Sequence, residues 1–489
     1  MRTLLHGKAL SPARAARRWG RARRPLVRGA IGLLAGLTLT AASCSRRPAA
    51  PPARFPMLLI GVDGMEWSVM RPLLAQGKLP VLKSLMERGT YGTLTSMSPT
   101  FSPVIWTSIA TGKVPAKHGI ENFVYSVGRR EGQVRVYTSS HRRTKAFWNI
   151  LSDYGMNVDC IGWWITYPAE KIHGVMVSQT NTTAAAHDEA RAIWKGSLLK
   201  GVPGQVSPPE RQNEVMATLE EVEKSLPEIT GQIFGRRPHP MDPFGRLMWD
   251  ETQWAFRADA TYIRVAKNLI ASPEPPDLFA LYIGGTDVVS HRFWRYAHPE
   301  AYAHPPSPEQ LENFRTMIDD YYIYTDRTIG ELLAKLPQDV TVLVISDHGF
   351  RGVNEDRVFA PGDPAVFRNS GAHDDAPPGV FIAAGRYIAA APRRVGSGPD
   401  PGSEPLLPIG SVLDVTPTLL ALKGIPVGQD MDGHVLMSLI QKERLEAAPL
   451  TLLPTHDTGE WLAGRAARSE QSVDDAERLE QLRSLGYIQ

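Results

Sequence analysis

The sequence predicts an α/β fold in which a mostly parallel central sheet carries helices on both faces. Short apolar runs of strand length recur along the chain, most of them end at Gly, Asp or Ser, and stretches with helical periodicity lie between them. A strand that is buried on both faces is apolar throughout, as strands of parallel sheets are. Strands that alternate with helices indicate a sheet covered on both sides.

The predicted elements follow one another in a regular order. We predict strands at 57–62, 158–165, 278–283, 340–345 and 380–384. We predict helices at 80–88, 145–154, 258–270, 309–336 and 412–422. The segment 182–253 fits this rhythm poorly, because it is polar, charged and rich in Pro, with one helical piece near 213–225. We interpret it as an insertion that forms a cap over one edge of the sheet.

Composition agrees with an ordinary globular protein. Of the 489 residues, 43% are hydrophobic and 21% are charged, which suits a packed fold rather than a disordered or membrane-spanning chain. This length allows one large domain with insertions or two domains. Residues 1–47 contain many Arg and no Asp or Glu, so the net charge of +3 arises at the N-terminus and the remainder is acidic. We therefore expect no nucleic-acid coating function.

The N-terminus is predicted to be an export signal spanning residues 1–44. An Arg-rich region precedes an apolar stretch at 29–42, and this stretch is shorter than the roughly 20 residues of a membrane-spanning helix. A transmembrane anchor is the alternative. Residues 41–44, Ala-Ala-Ser-Cys, resemble a bacterial lipoprotein cleavage box, although Ala41 stands where Leu is usual. We expect lipidation of Cys44 and a location in the bacterial cell envelope, on the periplasmic side of a membrane.

Export through either of two routes is consistent with this segment. Arg23 and Arg24 open a stretch similar to a twin-arginine signal, and a general secretory signal explains the same residues equally well. A Pro- and Arg-rich tether is predicted at 45–56, the folded domain at 57–442 and a polar C-terminal appendage at 443–489. Cys160 is expected to be a buried free thiol.

Acidic and imidazole side chains follow the predicted strand ends. Asp63 ends the first strand, Asp287 and His291 follow the third, Asp347 and His348 follow the fourth, and His373 precedes the fifth. Working residues of open α/β sheets gather at the carboxyl ends of the strands. Taken singly, each is better explained as a turn or surface residue. Together, so many carboxylates and imidazoles would repel or remain unsatisfied without a cation, and mixed nitrogen and oxygen ligands in two tetrahedral sites suit zinc.

A candidate nucleophile lies at Ser102, which is followed by Pro103. Ser is a favoured helix cap and Pro fits the first turn, so the sequence predicts a helix that starts here and ends before Gly112. A simple N-cap is the structural interpretation of Ser102. The same position places its hydroxyl among free backbone N–H groups at the positive end of a helix, where an anionic substrate is favoured. Thr100 is a second-choice nucleophile.

These motifs resemble the type I phosphodiesterase/nucleotide pyrophosphatase family of the alkaline phosphatase superfamily. The resemblance spans 57–439 in the order that the family shows, and it rests on Gly61-Val62-Asp63-Gly64, the Ser102 helix with Thr111-Gly112, His118-Gly119-Ile120, Asp287 with His291, Asp347-His348-Gly349, His373 and the 411–418 helix start. It implies an alkaline phosphatase-like fold. It also implies one metal held by Asp287, His291 and His373, and a second held by Asp63, Asp347 and His348, with Ser102 bridging them. A small phosphate ester would be hydrolysed through a phosphoseryl intermediate.

Departures from the family pattern leave the substrate open. The family usually has Thr at the position of Ser102 and Asn at that of Ile105, so a donor to the phosphoryl oxygen is missing from its usual place. Asn122 is a candidate replacement, and a turn residue is the equal alternative. Phosphomonoesterase activity, transfer of phosphoethanolamine-type groups and non-catalytic metal binding are the alternative functions. A sulfatase is disfavoured, because no Arg follows Pro103 closely.

Aromatic residues flank two of the predicted metal loops. Trp163, Trp164 and Tyr167 follow the second strand, and further aromatic residues at 293–296 follow His291. Such side chains can stack on a substrate group, or they can form the core that supports the metal loops, which we favour.

Overall fold

The central sheet forms because its strands are apolar on both sides. A computed structural model describes residues 53–126, 134–179, 198–235, 241–272, 275–353, 369–390, 405–459 and 461. The predicted export signal, Cys44 and most of the tether lie outside these residues. None of the helices in the described ranges is long and apolar enough to cross a membrane.

The strands are numbered in chain order. They are β1 (Met57–Val62), β2 (Thr90–Thr95), β3 (Val124–Ser126), β4 (Val134–Val136), β5 (Val158–Ile161), β6 (Met176–Val177), β7 (Val206–Ser207), β8 (Leu278–Ile283), β9 (Thr341–Ile345), β10 (Arg351–Gly352), β11 (Gly371–Ala372), β12 (Gly379–Ala384), β13 (Pro408–Ser411), β14 (Val427–Gly428) and β15 (Leu452–Leu453). Nine of these strands form one sheet in the order β13-β2-β12-β9-β1-β8-β5-β6-β7. Strands β9, β1, β8, β5 and β6 pair in parallel and form its centre.

Helices cover both faces of this sheet. They are α1 (Trp67–Ala75), α2 (Pro80–Glu87), α3 (Ser102–Thr111), α4 (Pro115–His118), α5 (Phe147–Asp153), α6 (Gln212–Phe234), α7 (Pro243–Ile270), α8 (Gly285–Ala297), α9 (Pro308–Phe314), α10 (Met317–Leu333), α11 (Val415–Lys423) and α12 (Lys442–Ala447). Side chains alternate across β1, so Leu58 and Ile60 join one core and Met57 and Leu59 the other. The first core includes α1, α2, α6, α7, α8 and α10, and the second includes α3, α5 and α11. The predicted α/β fold is confirmed.

Several predicted elements differ from the observed ones. The run at 380–384 was expected to be parallel, but β12 is antiparallel to both β9 and β2. A buried apolar run has the same pattern in either direction, which explains this error. The predicted strand at 158–165 ends at Ile161, the helix expected at 258–270 begins at Pro243, and the helix expected at 309–336 is divided into α9 and α10. Strands β2 and β13 were not predicted.

The segment predicted to be a cap is described at 198–235 and 241–253. It adds β7 to the edge of the central sheet, and α6 packs with α7 and α10 in the helical layer of the first core. Its helical part is therefore longer than the piece expected near 213–225. A role of the segment as a lid over substrate stays a prediction.

The predicted C-terminal appendage is tied to the domain over its described part. Strand β15 pairs with β14, and Asp457 accepts hydrogen bonds from the Lys113 ammonium at 2.7 Å and from the Lys145 backbone at 2.6 Å. The predicted boundary at residue 442 therefore falls within packed structure, and residues 462–489 lie outside the described part. Cys160 is a buried free thiol in β5.

Candidate metal centre

Four chain segments bring acidic and imidazole side chains to one edge of the sheet. Asp63 directly follows β1, and Asp347 and His348 follow β9, its neighbour in the sheet. On the other side of β1, strand β8 leads into α8, where Asp287 and His291 lie one helical turn apart. His373 directly follows the short strand β11. All six side chains are buried.

Their ligand atoms form two overlapping groups. In the first group, His348 Nε2 lies 3.4 Å from Asp63 Oδ1 and 3.3 Å from Asp347 Oδ2. The ligand atoms of Asp287, His348 and His373 form the second group, and within each group all ligand atoms lie within 4.8 Å of one another. His291 Nε2 lies 3.5 Å from Asp287 Oδ1. The structure thus brings together all six residues that the sequence singled out.

The grouping differs in one respect from the one that the family resemblance implied. His348, rather than His291, completes the group with Asp287 and His373. The His348 ring stacks on the His373 ring with centroids 4.2 Å apart, whereas the His291 ring meets His373 edge-on at 5.0 Å. His348 therefore belongs to both groups, and His291 contacts the Asp287 and His373 side chains of the second one.

Hydrogen bonds fix which imidazole nitrogen faces the centre. Nδ1 of His291 lies 2.9 Å from the Gly371 carbonyl, and Nδ1 of His348 lies 3.0 Å from the Gly349 carbonyl. A carbonyl oxygen only accepts, so each Nδ1 carries the proton and leaves Nε2 with its lone pair. Metal-binding histidines are held in this way by acceptors behind the ring.

Thr100 holds the third imidazole in the same orientation. Its hydroxyl donates to the His373 carbonyl at 2.8 Å, and His373 Nδ1 lies 3.2 Å from the same oxygen. Because the hydroxyl proton is already directed to the carbonyl, His373 Nδ1 is the donor to Thr100. The second-choice nucleophile of the sequence prediction therefore supports a candidate ligand.

The electrostatics of the centre favour a cation. Burial raises the pKa of Asp347 well above its usual range, and the Asp63 and Asp287 carboxylates raise it further. Burial lowers the pKa of His291 to about 3 and also lowers that of His348 and His373, so the three imidazoles stay neutral at pH 7. Asp63 Oδ1 and Asp347 Oδ2 are buried and accept no hydrogen bond. Buried carboxylate oxygens in this state fit divalent cations, and the mixed nitrogen and oxygen donors fit the predicted zinc.

Ser102 is the first residue of α3 and is almost fully buried. The predicted N-cap role is wrong, because Phe101 occupies the cap position and no side chain caps the helix. The Ser102 hydroxyl is buried and makes no hydrogen bond, so its oxygen is not committed to the fold. As predicted, the helix ends at Gly112, whose φ of 68° suits glycine.

Residues on both sides of Ser102 contact the metal candidates. Two residues before it, Thr100 bonds His373, and four residues after it, the Trp106 indole N–H donates to Asp63 Oδ2 at 3.1 Å. The start of α3 is therefore attached to both ligand groups. The role of Ser102 as the nucleophile stays a prediction.

Other predicted site residues have structural partners. The Asn122 side-chain oxygen accepts the Phe123 N–H at 2.7 Å, as a turn residue does, and the structure gives it no contact with the six ligand candidates. Ile105 is fully buried in the second core. The aromatic residues 163, 164, 167, 293, 294 and 296 are all buried, which agrees with the core interpretation.

Three supporting residues were not identified from the sequence. Tyr282, near the end of β8, donates a short hydrogen bond to Asp63 Oδ2. Asp259 in α7 accepts the N–H groups of Gly284 and Gly285, at 3.0 and 2.8 Å, at the start of the helix that carries Asp287. Trp106 is the third. Their partners lie 25 to 219 positions away in the sequence, so no local pattern signals them.

Comparison with known proteins identifies one matching family. Residues 57–395 match the sequence model of the family described as type I phosphodiesterase / nucleotide pyrophosphatase. This range contains all six ligand candidates and Ser102. No curated protein sequence matches the chain significantly.

Several solved structures are similar at low identity. Phosphonoacetate hydrolase from Sinorhizobium meliloti 1021 is 20% identical with a TM-score of 0.37, over 63% of this chain and 60% of that chain. Murine ectonucleotide pyrophosphatase / phosphodiesterase 5 is 12% identical with a TM-score of 0.44, over 79% of this chain and 100% of that chain. A 2-O GAG sulfatase is 12% identical with a TM-score of 0.42, over 83% and 76%. The chain thus spans less than two thirds of the length of the phosphonoacetate hydrolase.

Proposed function

We propose that the chain, which belongs to the type I phosphodiesterase / nucleotide pyrophosphatase family, is a phosphoric ester hydrolase that cleaves phosphodiesters with two divalent cations through a phosphoseryl intermediate at Ser102. The observation that carries this proposal is the buried group of three carboxylates and three neutral imidazoles, together with the uncommitted Ser102 hydroxyl on a segment whose Thr100 and Trp106 bond members of that group. Without a bound cation, this group leaves several buried polar atoms unsatisfied.

The ligand candidates and Ser102 have different roles in the proposed reaction. Asp63, Asp347 and His348 would hold one cation. Asp287 and His373 would hold the other with His291, whose Nε2 lies 3.5 Å from Asp287 Oδ1, since His348 would already be a ligand of the first. Bound cations supply Lewis acidity and neutralise charge on the phosphoryl oxygens and the leaving group. The Ser102 hydroxyl loses its proton to solvent as its oxygen attacks phosphorus in line with the departing alkoxide, which takes up a proton from solvent and leaves as an alcohol. Water then displaces Ser102, so that two inversions give retention at phosphorus.

Phosphomonoesterase activity and transfer of phosphoethanolamine-type groups are the alternatives on the same centre. Ile105 is the reason to retain these alternatives, because an apolar residue stands where nucleotide pyrophosphatases usually have a donor to the phosphoryl oxygen. Substrate charge separates the two esterase activities. A monoester carries one more ionised oxygen than a diester.

The test compares two chromogenic substrates on the purified zinc-loaded protein. We expect bis-p-nitrophenyl phosphate to be hydrolysed faster than p-nitrophenyl phosphate. A strong preference for the monoester would overturn the diesterase proposal, and no hydrolysis of either by a zinc-loaded protein would overturn the esterase mechanism. Ser102→Ala is expected to lose turnover while its zinc content stays that of the wild type.

We further propose that the protein is exported and attached to a membrane through a lipidated Cys44. This proposal is supported by the sequence of residues 1–44 alone. The mature protein should begin at Cys44 and carry the mass of attached acyl chains. Cys44→Ser should release the protein from the membrane fraction, and an unprocessed N-terminus in the wild type would contradict the proposal.

A further inference from the structure

The Asp63 carboxylate has two unlike oxygen atoms. Its Oδ2 accepts the Trp106 indole N–H at 3.1 Å and a short hydrogen bond from the Tyr282 hydroxyl. Its Oδ1 accepts no hydrogen bond and lies 3.4 Å from His348 Nε2. One oxygen is therefore held by the fold, and the other is directed at the candidate cation.

The direction of the Tyr282 hydrogen bond follows from its partners. The Trp164 indole N–H donates to the Tyr282 oxygen at 2.8 Å. An indole nitrogen only donates and a carboxylate only accepts, so the Tyr282 proton is directed to Asp63. Three buried side chains thus form a relay that runs from Trp164 through Tyr282 to Asp63, and hydrogen bonds in such a chain polarise one another.

The relay cannot easily rearrange, because its rings are packed against each other. The Trp106 ring meets the Tyr282 ring edge-on at 5.3 Å and the Trp163 ring at 5.1 Å. On its other side lies Gly61, where an added Cβ would stand 2.5 Å from a ring carbon of Trp106. The absence of a side chain at position 61 lets the indole reach Asp63.

We propose that Tyr282, with Trp106 and Trp164, is a positioning residue that keeps Asp63 a one-oxygen ligand and thereby sets the affinity of the Asp63, Asp347 and His348 group for its cation. Without the Tyr282 hydroxyl, Oδ2 keeps a single donor and the carboxylate gains freedom to rotate. The cation then binds a carboxylate that is no longer oriented in advance. This inference rests on the proposed two-metal centre.

The test measures zinc affinity, with a chelator competition, for Tyr282→Phe and for a matched control. Tyr262→Phe is the control, because Tyr262 is also a buried tyrosine and its hydroxyl donates to a backbone carbonyl, that of Ser178, at 3.0 Å. We expect Tyr282→Phe to weaken one of two zinc binding constants by about 10- to 100-fold, which is typical for the loss of a partner behind a metal ligand. The other constant, and both constants of Tyr262→Phe, should stay those of the wild type.

A second variant tests the relay itself. Trp164→Phe should weaken the same zinc constant by less than Tyr282→Phe does, and it should have no further effect once Tyr282 is already Phe. Additive effects of the two substitutions would overturn the relay. If Tyr282→Phe does not fold, unchanged zinc affinity in Trp164→Phe overturns the inference by itself.

The outcomes separate this inference from the proposed function. A wild-type protein that binds no zinc would overturn both. A wild-type protein that binds two zinc ions, together with a folded Tyr282→Phe variant of unchanged affinity, would overturn the positioning role alone. If Tyr262→Phe lost as much zinc affinity as Tyr282→Phe, the loss would be a general effect of reduced stability, and the positioning role would be overturned.

Discussion

Replacing Asp347 with asparagine is expected to stabilise the metal-free protein and to destabilise the metal-loaded one. In the metal-free centre, Asp63 and Asp347 present carboxylate oxygens that lie within 4.8 Å of each other, and burial raises the pKa of Asp347. An amide removes one negative charge from this group. It also keeps an oxygen that can accept the Gly64 N–H, which now bonds Asp347 Oδ1 at 3.3 Å.

The size of the gain follows from the repulsion that the substitution removes. Two unit charges at most 4.8 Å apart repel by at least about 3.5 kcal/mol at an effective dielectric constant of about 20. A proton taken up by Asp347 relieves part of this repulsion, so we expect the metal-free variant to be more stable by about 1 to 3 kcal/mol. When zinc is present at about 1,000 times its Kd, its binding raises the free energy of unfolding of the wild type by about 4 kcal/mol. A variant with a poor zinc site lacks this stabilisation.

The assay is thermal unfolding of both proteins, once with a chelator and once with saturating zinc. Asp347→Asn should unfold at a higher temperature than the wild type in chelator and at a lower temperature in zinc. Asp159→Asn is the control, because Asp159 is a buried carboxylate whose Oδ1 accepts the Val175 N–H at 2.9 Å and which lies outside both ligand groups. Its two midpoints should shift in the same direction. A variant at position 347 that is less stable than the wild type under both conditions would refute the reasoning.

Three further predictions concern residues around the centre. Asp259→Ala leaves two backbone N–H groups without an acceptor, so we expect a loss of about 2 to 4 kcal/mol in urea unfolding, and an unchanged midpoint would contradict the role of this carboxylate. Thr100→Val should weaken zinc binding about tenfold, because His373 loses its hydrogen-bond partner, but turnover should be kept at high zinc. If Thr100 were the nucleophile, the variant would lose turnover at every zinc concentration. Burial, and to a smaller extent the Arg142 charge, lowers the pKa of His118 from 6.5 to about 3. Between pH 6.5 and 3 the imidazole therefore takes up a proton on unfolding, and the free energy of unfolding falls as the pH drops through this range. In chelator, the free energy of unfolding of His118→Gln should depend less steeply on pH than that of the wild type, by at most about 1.4 kcal/mol per pH unit. An unchanged pH dependence would contradict this prediction.

The sequence carries most of the information on the centre of the sheet and on the ligand candidates. β1 and β8 were predicted with the observed bounds, because strands buried on both faces are continuous apolar runs. Five of the six ligand candidates were found because they follow such strands, with His291 one helical turn beyond Asp287, and His373 was found because it precedes another strand. Which imidazole completes each group was not predictable, since His348 and His373 meet only through the folding of separate loops.

Other parts depend on contacts that no local pattern records. β2, with the sequence Thr-Tyr-Gly-Thr-Leu-Thr, contains strand-favouring Thr and Tyr, but it is half-buried, contains a glycine and lacks the continuous apolar run by which the other strands were predicted. The position of Ser102 inside the helix rather than at its cap depends on the backbone of Phe101. Tyr282 looks like any aromatic residue of a buried strand until Asp63 is placed beside it.

The most direct test of the account is to trap the covalent intermediate. The zinc-loaded protein would be mixed with bis-p-nitrophenyl phosphate, quenched in acid during turnover and digested, and its peptides would be weighed by mass spectrometry. We expect a p-nitrophenyl phosphoryl group on the peptide that contains Ser102, and we expect no such group on the corresponding peptide of Ser102→Ala. Turnover by the wild type with the group on another residue, or undiminished turnover by Ser102→Ala, would contradict it.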